Sequence, residues 1–413
     1  MTSTAPAPVS ARSGFAATSM IRGRLLVLIA IVLFALTLRA AVTSLSPLLT
    51  QISHEVGFGA TVIGVFGMLP TLMFAAAGVV TPLLTNRVGL ERTTLIAVAA
   101  TAIGMAVRPL MGGTGGLLAL SSLALVGMGV GNVVIPPLVK RYFSENVALL
   151  STAYLTCVQL GTMVPALAAV PAAEAFGWRF SLGMWAIIPI AALLPWIGIV
   201  IARRGNDVRD VSAEDAGERQ GQLWRSPLAW GMAAMFGMTS LCTYSMFTWI
   251  PTILADSGGS AALGGTMVAL FSGVGFVATF AIPAVCTKMS NPFPLVVAFL
   301  GFFVVGFLGL LLAPMHLTWL WVIAAGLGPT TFPMALTLVN LRTRTGAGSA
   351  SLSGFTQGVG YLAACAGPLG FGLLHEVTNG WTAPFAMLFV CLAILGVGAF
   401  QACRPRMLED TWH

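Results

Sequence analysis

The sequence has few charged residues: Lys, Arg, Asp and Glu make up 8% of its 413 residues, and the mean hydropathy is +0.92. Soluble globular domains carry about 25% charged residues. This shortage, with 57% apolar residues, excludes an ordinary soluble domain and predicts a polytopic membrane protein. We expect no nucleic-acid partner, because the net charge of +7 is distributed as membrane topology requires.

Groups that carry enzyme chemistry are also missing. The six cysteines are scattered, no Cys-x-x-Cys or Cys/His ligand spacing occurs, and no nucleophile with a base lies inside an apolar run. We therefore predict buried apolar cysteines, no metal, no cofactor and no enzymatic activity. All thirteen acidic residues and all four histidines lie in predicted loops, tails or span ends, so no embedded proton relay is visible.

Apolar runs long enough to cross a bilayer recur along the whole chain, separated by short polar breaks. They predict an all-α membrane fold with twelve transmembrane helices, at residues 25–49, 59–84, 93–110, 116–138, 148–172, 180–202, 228–254, 262–286, 294–313, 317–340, 349–374 and 382–402.

One long charged stretch divides these runs into two sets of six. We predict a disordered cytoplasmic tail, an N-terminal six-helix bundle, a cytoplasmic central loop, a C-terminal six-helix bundle and a cytoplasmic tail, at 1–20, 21–202, 203–227, 228–402 and 403–413. The halves also resemble each other, because Gly129–Pro136 matches Gly326–Pro333 and Ser151…Gln159 matches Ser349…Gln357 at nearly the same offset. This indicates a parallel internal repeat.

The basic residues indicate the orientation. With both termini inside, 17 of the 20 Lys and Arg residues fall in cytoplasmic segments, and only Arg108 and Arg179 fall on the other side. We predict a multi-pass protein of the bacterial cytoplasmic (inner) membrane with both termini in the cytoplasm.

The remaining basic residue, Arg39, lies inside the first apolar run. A helix that begins near Leu25 places Arg39 roughly 21 Å along its axis, deep in a hydrocarbon layer about 30 Å thick. A charge there is costly unless it faces a polar cavity or a partner. Since no carboxylate is embedded nearby, a bound anion is the natural counter-ion, and the guanidinium suits planar oxygen pairs. A structural arginine satisfied by helix carbonyls is the alternative.

Four stretches carry a family resemblance: Leu38-Arg39-Ala-Ala-Val-Thr43-Ser44-Leu-Ser-Pro47, Gly129-Val-Gly131-Asn132-Val-Val-Ile-Pro136-Pro137, Gly177-Trp178-Arg179 and Ser353-Gly-Phe-Thr-Gln357-Gly-Val-Gly360-Tyr361. They resemble the major facilitator superfamily, and within it the branch of cyanate permeases and 2-nitroimidazole exporters. The resemblance implies two pseudo-symmetric six-helix halves with a site at the midplane. It implies substrate contacts from polar residues of the cavity-lining spans: Arg39, Asn132, Gln159, Tyr244, Gln357 and Tyr361.

The superfamily's loop between spans two and three is represented here by Asn86, Arg87, Gly89 and Arg92, which we expect to form a gating loop. Pro82, Asn86 and Leu90 replace a glycine, an aspartate and a basic residue of the family pattern. These changes weaken the charge lock that the pattern implies, and an ordinary short basic loop is the alternative.

The sequence thus predicts a secondary active or facilitative transporter of a small anionic or electronegative solute, cyanate-like or nitroheterocycle-like, working by alternating access around Arg39. The alternative is an exporter of neutral drugs or toxic aromatic compounds. A membrane enzyme or a non-transporting sensor is disfavoured, because no catalytic constellation and no output domain are visible. The expected partners are a small-molecule substrate and the lipid bilayer. We expect a monomer, and a co-transported proton, exchange and facilitated diffusion all stay open.

Overall fold

The computed structural model describes residues 11–202, 223–286 and 288–411, and this part of the chain is helical, without a β-strand. Its long helices are α1 (Ala11–Thr37, Ala40–Thr43 and Leu49–Val56), α2 (Ala60–Val88), α3 (Leu90–Val107), α4 (Thr114–Tyr142), α5 (Val147–Phe176), α6 (Trp178–Gly183 and Ile187–Ala202), α7 (Pro227–Asp256), α8 (Ala261–Cys286), α9 (Phe293–Leu312), α10 (Thr318–Leu327 and Thr331–Leu341), α11 (Gly346–Ala364 and Ala366–Thr378) and α12 (Thr382–Cys403). Short 3₁₀ turns lie at Ser46–Leu48, Arg108–Leu110, Ser144–Asn146, Met184–Ala186, Gly328–Thr330 and Leu408–Thr411.

Each of the twelve predicted spans coincides with one of these helices. Over the described residues, ten are long and apolar enough to cross a membrane, and the other two, α7 and α8, are helices of 30 and 26 residues. A helix pairs its own backbone N–H and C=O groups, and this is needed in a membrane because hydrocarbon offers no hydrogen-bond partners. The predicted central loop, 203–227, lies mostly outside the described residues.

The first span differs from the continuous helix predicted at 25–49. It begins at Ala11, inside the stretch predicted to be disordered, in a segment rich in alanine, a strong helix former. It breaks after Thr37, forms one further turn at Ala40–Thr43, and resumes at Leu49. Arg39 lies in the first break with a non-helical backbone (φ −128°, ψ −11°). Broken helices persist at membrane depth only where protein surrounds them, so this break marks the interior of the bundle.

The link between α2 and α3 is a single residue, Gly89, with φ +86° and ψ 161°. This backbone region is essentially restricted to glycine because a Cβ would clash there. The connection makes α2 and α3 antiparallel neighbours with almost no loop. It also fixes the predicted gating loop as a tight turn.

The chain after α12, predicted as a tail at 403–413, folds back on the start of α11 in its described part. The Glu409 carboxylate accepts from the backbone N–H groups of Arg344 and Thr345 at 2.9 and 3.2 Å. Arg344 pairs with Asp410 at 2.7 Å. Next to them, Arg342 donates to the Cys403 carbonyl at 2.7 Å, and burial lowers the pKa of its guanidinium. The carboxylate thus holds the backbone just before α11, whose first turn is capped by the Thr345 hydroxyl through the Gly348 N–H.

Helices α1–α6 and α7–α12 form two bundles that meet along two helix pairs. Helix α2 packs against α11, and α5 packs against α8. A two-fold rotation that exchanges the halves converts one pair into the other, as expected for a parallel six-helix repeat. The main contact between the halves is therefore symmetric around the centre of the bundle.

Contacts between α2 and α11 seal one end of this interface. The Glu376 carboxylate accepts from the N–H of Thr61 at 3.1 Å, and the Thr71 hydroxyl reaches the Cys365 sulfur at 3.3 Å. Between them, a Cβ on Gly64 would lie 2.8 Å from the Pro368 carbonyl. We call this the sealed end; it lies opposite the ends of α1 and α12 that carry the chain termini.

The same interface is open at the end that carries the chain termini, which we call the open end. A Cβ added to Gly78 of α2, or to Gly354 or Gly358 of α11, would meet no atom within 4 Å. The α2–α11 contact reaches the ring pair Phe74–Tyr361, with centroids 6.0 Å apart, between the sealed end and these glycines. The structure therefore has a cavity with access from one side, and its floor lies at the level of Tyr361.

Candidate functional site

Arg39 lies at this floor, held by aromatic side chains from both halves. Its Nη1 donates to the Tyr244 hydroxyl, and the Tyr361 side chain lies near the guanidinium. The guanidinium carbon lies 4.9 Å from the centroid of the Phe74 ring and 5.9 Å from that of Tyr244. Contacts of this kind stabilise a cation by roughly 0.5–2 kcal/mol each. We call Arg39, Phe74, Tyr244 and Tyr361 the arginine cluster.

The break in α1 explains how Arg39 reaches this position. Its backbone turns between two helical segments, so that the side chain leaves the N-terminal half and meets α7 and α11 of the C-terminal half. Tyr244 and Tyr361 are buried, at 5% and 8% exposure, whereas Arg39 keeps partial exposure. A buried pair of hydroxyls and a partly exposed guanidinium match a site that opens into the cavity.

The charge of Arg39 is not balanced by a carboxylate in the described structure. No ion pair of the described residues includes Arg39, and the Tyr244 hydroxyl that accepts from it is neutral. A guanidinium has five N–H donors, so donors stay available for a ligand. The Tyr244 hydroxyl accepts from Arg39 and still has its own proton to donate, and the nearby Tyr361 hydroxyl has one as well. The cluster can therefore bind an electron-rich group with charge-assisted hydrogen bonds.

The other predicted substrate residues have different surroundings. The Gln159 amide donates to the Ser272 carbonyl of α8, across the two halves. The Asn132 amide donates to the Met128 carbonyl of its own helix at 3.1 Å, and the Gln357 amide donates to the Ser353 hydroxyl at 2.8 Å. Three of the six predicted residues, Arg39, Tyr244 and Tyr361, thus come together, and no described contact joins the other three to Arg39.

The predicted gating loop lies at the open end. Asn86, Arg87, Gly89 and Arg92 are all exposed. Beside them, the buried Glu91 accepts from the Tyr142 hydroxyl at 2.9 Å and lies 3.6 Å from the Arg141 guanidinium. These contacts join α3 to the end of α4, within the N-terminal half. A gating role for the loop stays a prediction.

Sequence reasoning missed two residues of this region. Phe74 gives no signal, since it is one of 24 phenylalanines, most of them in apolar runs. Arg108 falls near the end of an apolar run, where a residue at the membrane surface is expected, yet the structure buries it to 1% exposure. Its partners are the Ser44 hydroxyl and the Ala41 carbonyl, which is available because α1 is broken. Only the fold reveals that break.

Two six-helix halves with a charged group between them are the architecture of secondary membrane transporters. Comparison with known proteins agrees. The family model of the Major Facilitator Superfamily matches residues 25–368. The chain belongs to this superfamily, and its fold is the twelve-helix fold of two halves.

Relatives with named substrates cover nearly the whole chain. The 2-nitroimidazole transporter of Escherichia coli is 31% identical over 385 residues, 92% of this chain and 96% of its own length. The cyanate transport protein CynX of the same organism is 26% identical over 369 residues, 88% and 94% of the two chains. The crystal structure of a bacterial homologue of the human lysosomal transporter Spinster, inward-facing and unoccupied, is similar with a TM-score of 0.74. That likeness, at 15% identity over 95% of this chain and 99% of the other, concerns the fold alone.

Proposed function

We propose that this protein transports a small anionic or electronegative solute by alternating access, and that the arginine cluster holds the solute. The observation that carries the proposal is the position of Arg39, at the floor of a cavity with access from one side and without a carboxylate partner in the described structure. A solute with negative or electron-rich oxygens supplies the acceptors that the cluster lacks.

The chemistry of the relatives supports this substrate class. Cyanate is a small anion, and a nitroimidazole carries a nitro group with two planar oxygens, so both suit a guanidinium. The ring faces of Phe74, Tyr244 and Tyr361 add an apolar wall on which a planar molecule stacks. This combination favours a compact, planar, electron-rich solute.

A second function with the same fold is export of neutral aromatic compounds. It is favoured by the aromatic lining, which extends from Tyr361 to Phe236 with centroids 5.0 Å apart and from Phe236 to Phe332 at 4.6 Å. In that function the tyrosines satisfy Arg39 permanently, and the solute stacks on the rings without taking its hydrogen bonds.

We further propose that the protein lies in the bacterial cytoplasmic membrane with its open end toward the cytoplasm. The positive-inside rule supports this orientation, because the open end carries the loops with most of the basic residues. In this account the protein is a monomer without enzymatic activity. Its coupling is exchange, facilitated diffusion or proton co-transport, and a relay of embedded carboxylates is not needed for any of them.

Ligand-induced thermal stabilisation tests the proposal. Purified wild type and Arg39→Ala are heated with cyanate, nitrate, 2-nitroimidazole and a neutral aromatic without a nitro group. A ligand that binds the folded state raises the apparent Tm by mass action. We expect a rise with anions or nitroimidazole for the wild type and none for Arg39→Ala. Equal stabilisation of both proteins by the neutral aromatic, without an anion effect, would reject the anion site and support the second function.

A further inference from the structure

A second arginine is buried in the membrane region, between α1 and the end of α3. Arg108 donates Nη1 to the Ala41 carbonyl at 3.1 Å and Nη2 to the Ser44 hydroxyl at 3.2 Å. Both acceptors are neutral, and no ion pair among the described residues includes Arg108. A buried charge without a counter-ion is costly at membrane depth, so this guanidinium needs a negative partner.

A small cavity beside Arg108 contains hydrogen-bond donors that are not used. It is lined by Arg108 and Ser121 together with apolar residues such as Leu45, Phe66 and Leu125. The Nε of Arg108 and the hydroxyl of Ser121 are buried and have no hydrogen-bond partner in the described part of the chain. Leaving such groups unpaired costs about 1–3 kcal/mol each, and more for a charged one. A ligand that accepts hydrogen bonds from these two groups would therefore be stabilised in the cavity.

The cavity is separate from the arginine cluster. It lies in the sealed part of the interface, where Thr248 of α7 completes its wall against Gly67 of α2. The Thr248 hydroxyl already donates to the Tyr244 carbonyl at 2.8 Å, so it offers no free donor. The turn Ala40–Thr43 joins the two regions, because Arg39 precedes it and Arg108 binds the Ala41 carbonyl within it.

We propose that this cavity binds one small monovalent anion of the halide class, held by Arg108 and Ser121 while the sealed end is closed. An anion supplies both the hydrogen-bond acceptor and the negative charge that Arg108 lacks, whereas a water molecule supplies only the acceptor. The cavity is small, and the rest of its lining is apolar apart from the Ser46 and Thr248 hydroxyls, which donate to backbone carbonyls. It therefore does not fit a hydrated or bulky anion. Because Thr248 lines the site from the other half, separation of the halves at this end removes part of its wall.

A halide titration of the purified full-length protein tests this site. Its Tm is measured in gluconate buffer as chloride or bromide replaces gluconate at constant ionic strength. We expect a saturable rise in Tm with the halides. Ser121→Ala should weaken the apparent chloride affinity about tenfold, because a hydrogen bond to a charged group is lost, and Arg108→Gln should abolish the rise.

Two controls fit this test. Ser122→Ala removes a neighbouring hydroxyl that donates to the Leu118 carbonyl of its own helix, so it should keep the wild-type titration. Arg39→Gln should also keep it, which separates this site from the proposed solute site. Coincident chloride and gluconate curves would mean that the cavity holds water only and would overturn the proposal. Equal chloride affinities for Ser121→Ala and Ser122→Ala would also overturn it, and so would a chloride response that is lost only in Arg39→Gln. If Arg108→Gln does not fold, the comparison of Ser121→Ala with Ser122→Ala still tests the proposal.

Discussion

Removing the Glu376 carboxylate should loosen the sealed end. This side chain, near the end of α11, accepts from the N–H and the hydroxyl of Thr61 in the first turn of α2, so a residue of one half caps a helix of the other. Caps of this kind contribute about 0.5–2 kcal/mol, and a negative charge at a helix N-terminus adds about 0.3–1 kcal/mol. Because Glu376 is exposed, we take the lower part of these ranges, about 1 kcal/mol. That corresponds to a roughly fivefold change in an equilibrium.

Thiol accessibility at the seal measures this change. Thr248 lies between the halves and is 4% exposed. In the variant Thr248→Cys, a membrane-impermeant thiol reagent added on the sealed side therefore reacts with the new cysteine only when this end opens. In proteoliposomes, Glu376→Ala should raise the labelling rate about fivefold. Glu174→Ala is the matched control, an exposed carboxylate at the end of α5 for which the described structure gives no contact across the halves. Equal labelling rates in the two variants would refute the assignment of Glu376 to the seal.

Three further predictions concern the cluster, the packing and the C-terminus. Tyr244→Phe and Tyr361→Phe should each weaken solute binding about tenfold or more, since each removes a hydrogen bond to a charged group. Isothermal titration calorimetry measures the affinity. Wild-type affinity in both variants would exclude the two hydroxyls from the binding site. Gly161→Ala should lower the Tm, because the added Cβ would overlap the Leu36 carbonyl. Gly358→Ala should leave the Tm unchanged, because its Cβ would lie in open space. Equal Tm values for the two variants would contradict this packing. Glu409→Ala should speed amide exchange at Arg344 and Thr345, since it removes the carboxylate that accepts from their N–H groups. Unchanged exchange at these two residues would rule out this contact.

The fold could be predicted from the sequence because its signal is local and repeated. Each apolar run is about as long as a bilayer is thick, and the two matches between the halves reveal the repeat. The same locality explains the failure at α1, where the apolar run continues through the break. Only packing against the other spans permits a non-helical backbone at Arg39.

The site could be predicted only in part. Arg39 gave a signal by itself, because a charge inside an apolar run is costly. Tyr244 and Tyr361 were found among the polar residues of cavity-lining spans, but sequence could not separate them from Asn132 and Gln357, whose amides bond within their own helices. Which of these side chains faces the cavity depends on the rotation of each helix about its axis. Packing sets this rotation, and a helix that is apolar on nearly all sides has no sequence pattern from which to predict it.

The central claim is that Arg39 binds the transported solute. Counterflow in proteoliposomes tests it most directly: vesicles loaded with unlabelled cyanate or nitroimidazole take up the labelled compound only if the protein binds and carries it. We predict counterflow for the wild type and for Gly358→Ala, which leaves the arginine cluster intact, and none for Arg39→Gln at equal protein content and Tm. Counterflow by Arg39→Gln at the wild-type rate would contradict the account.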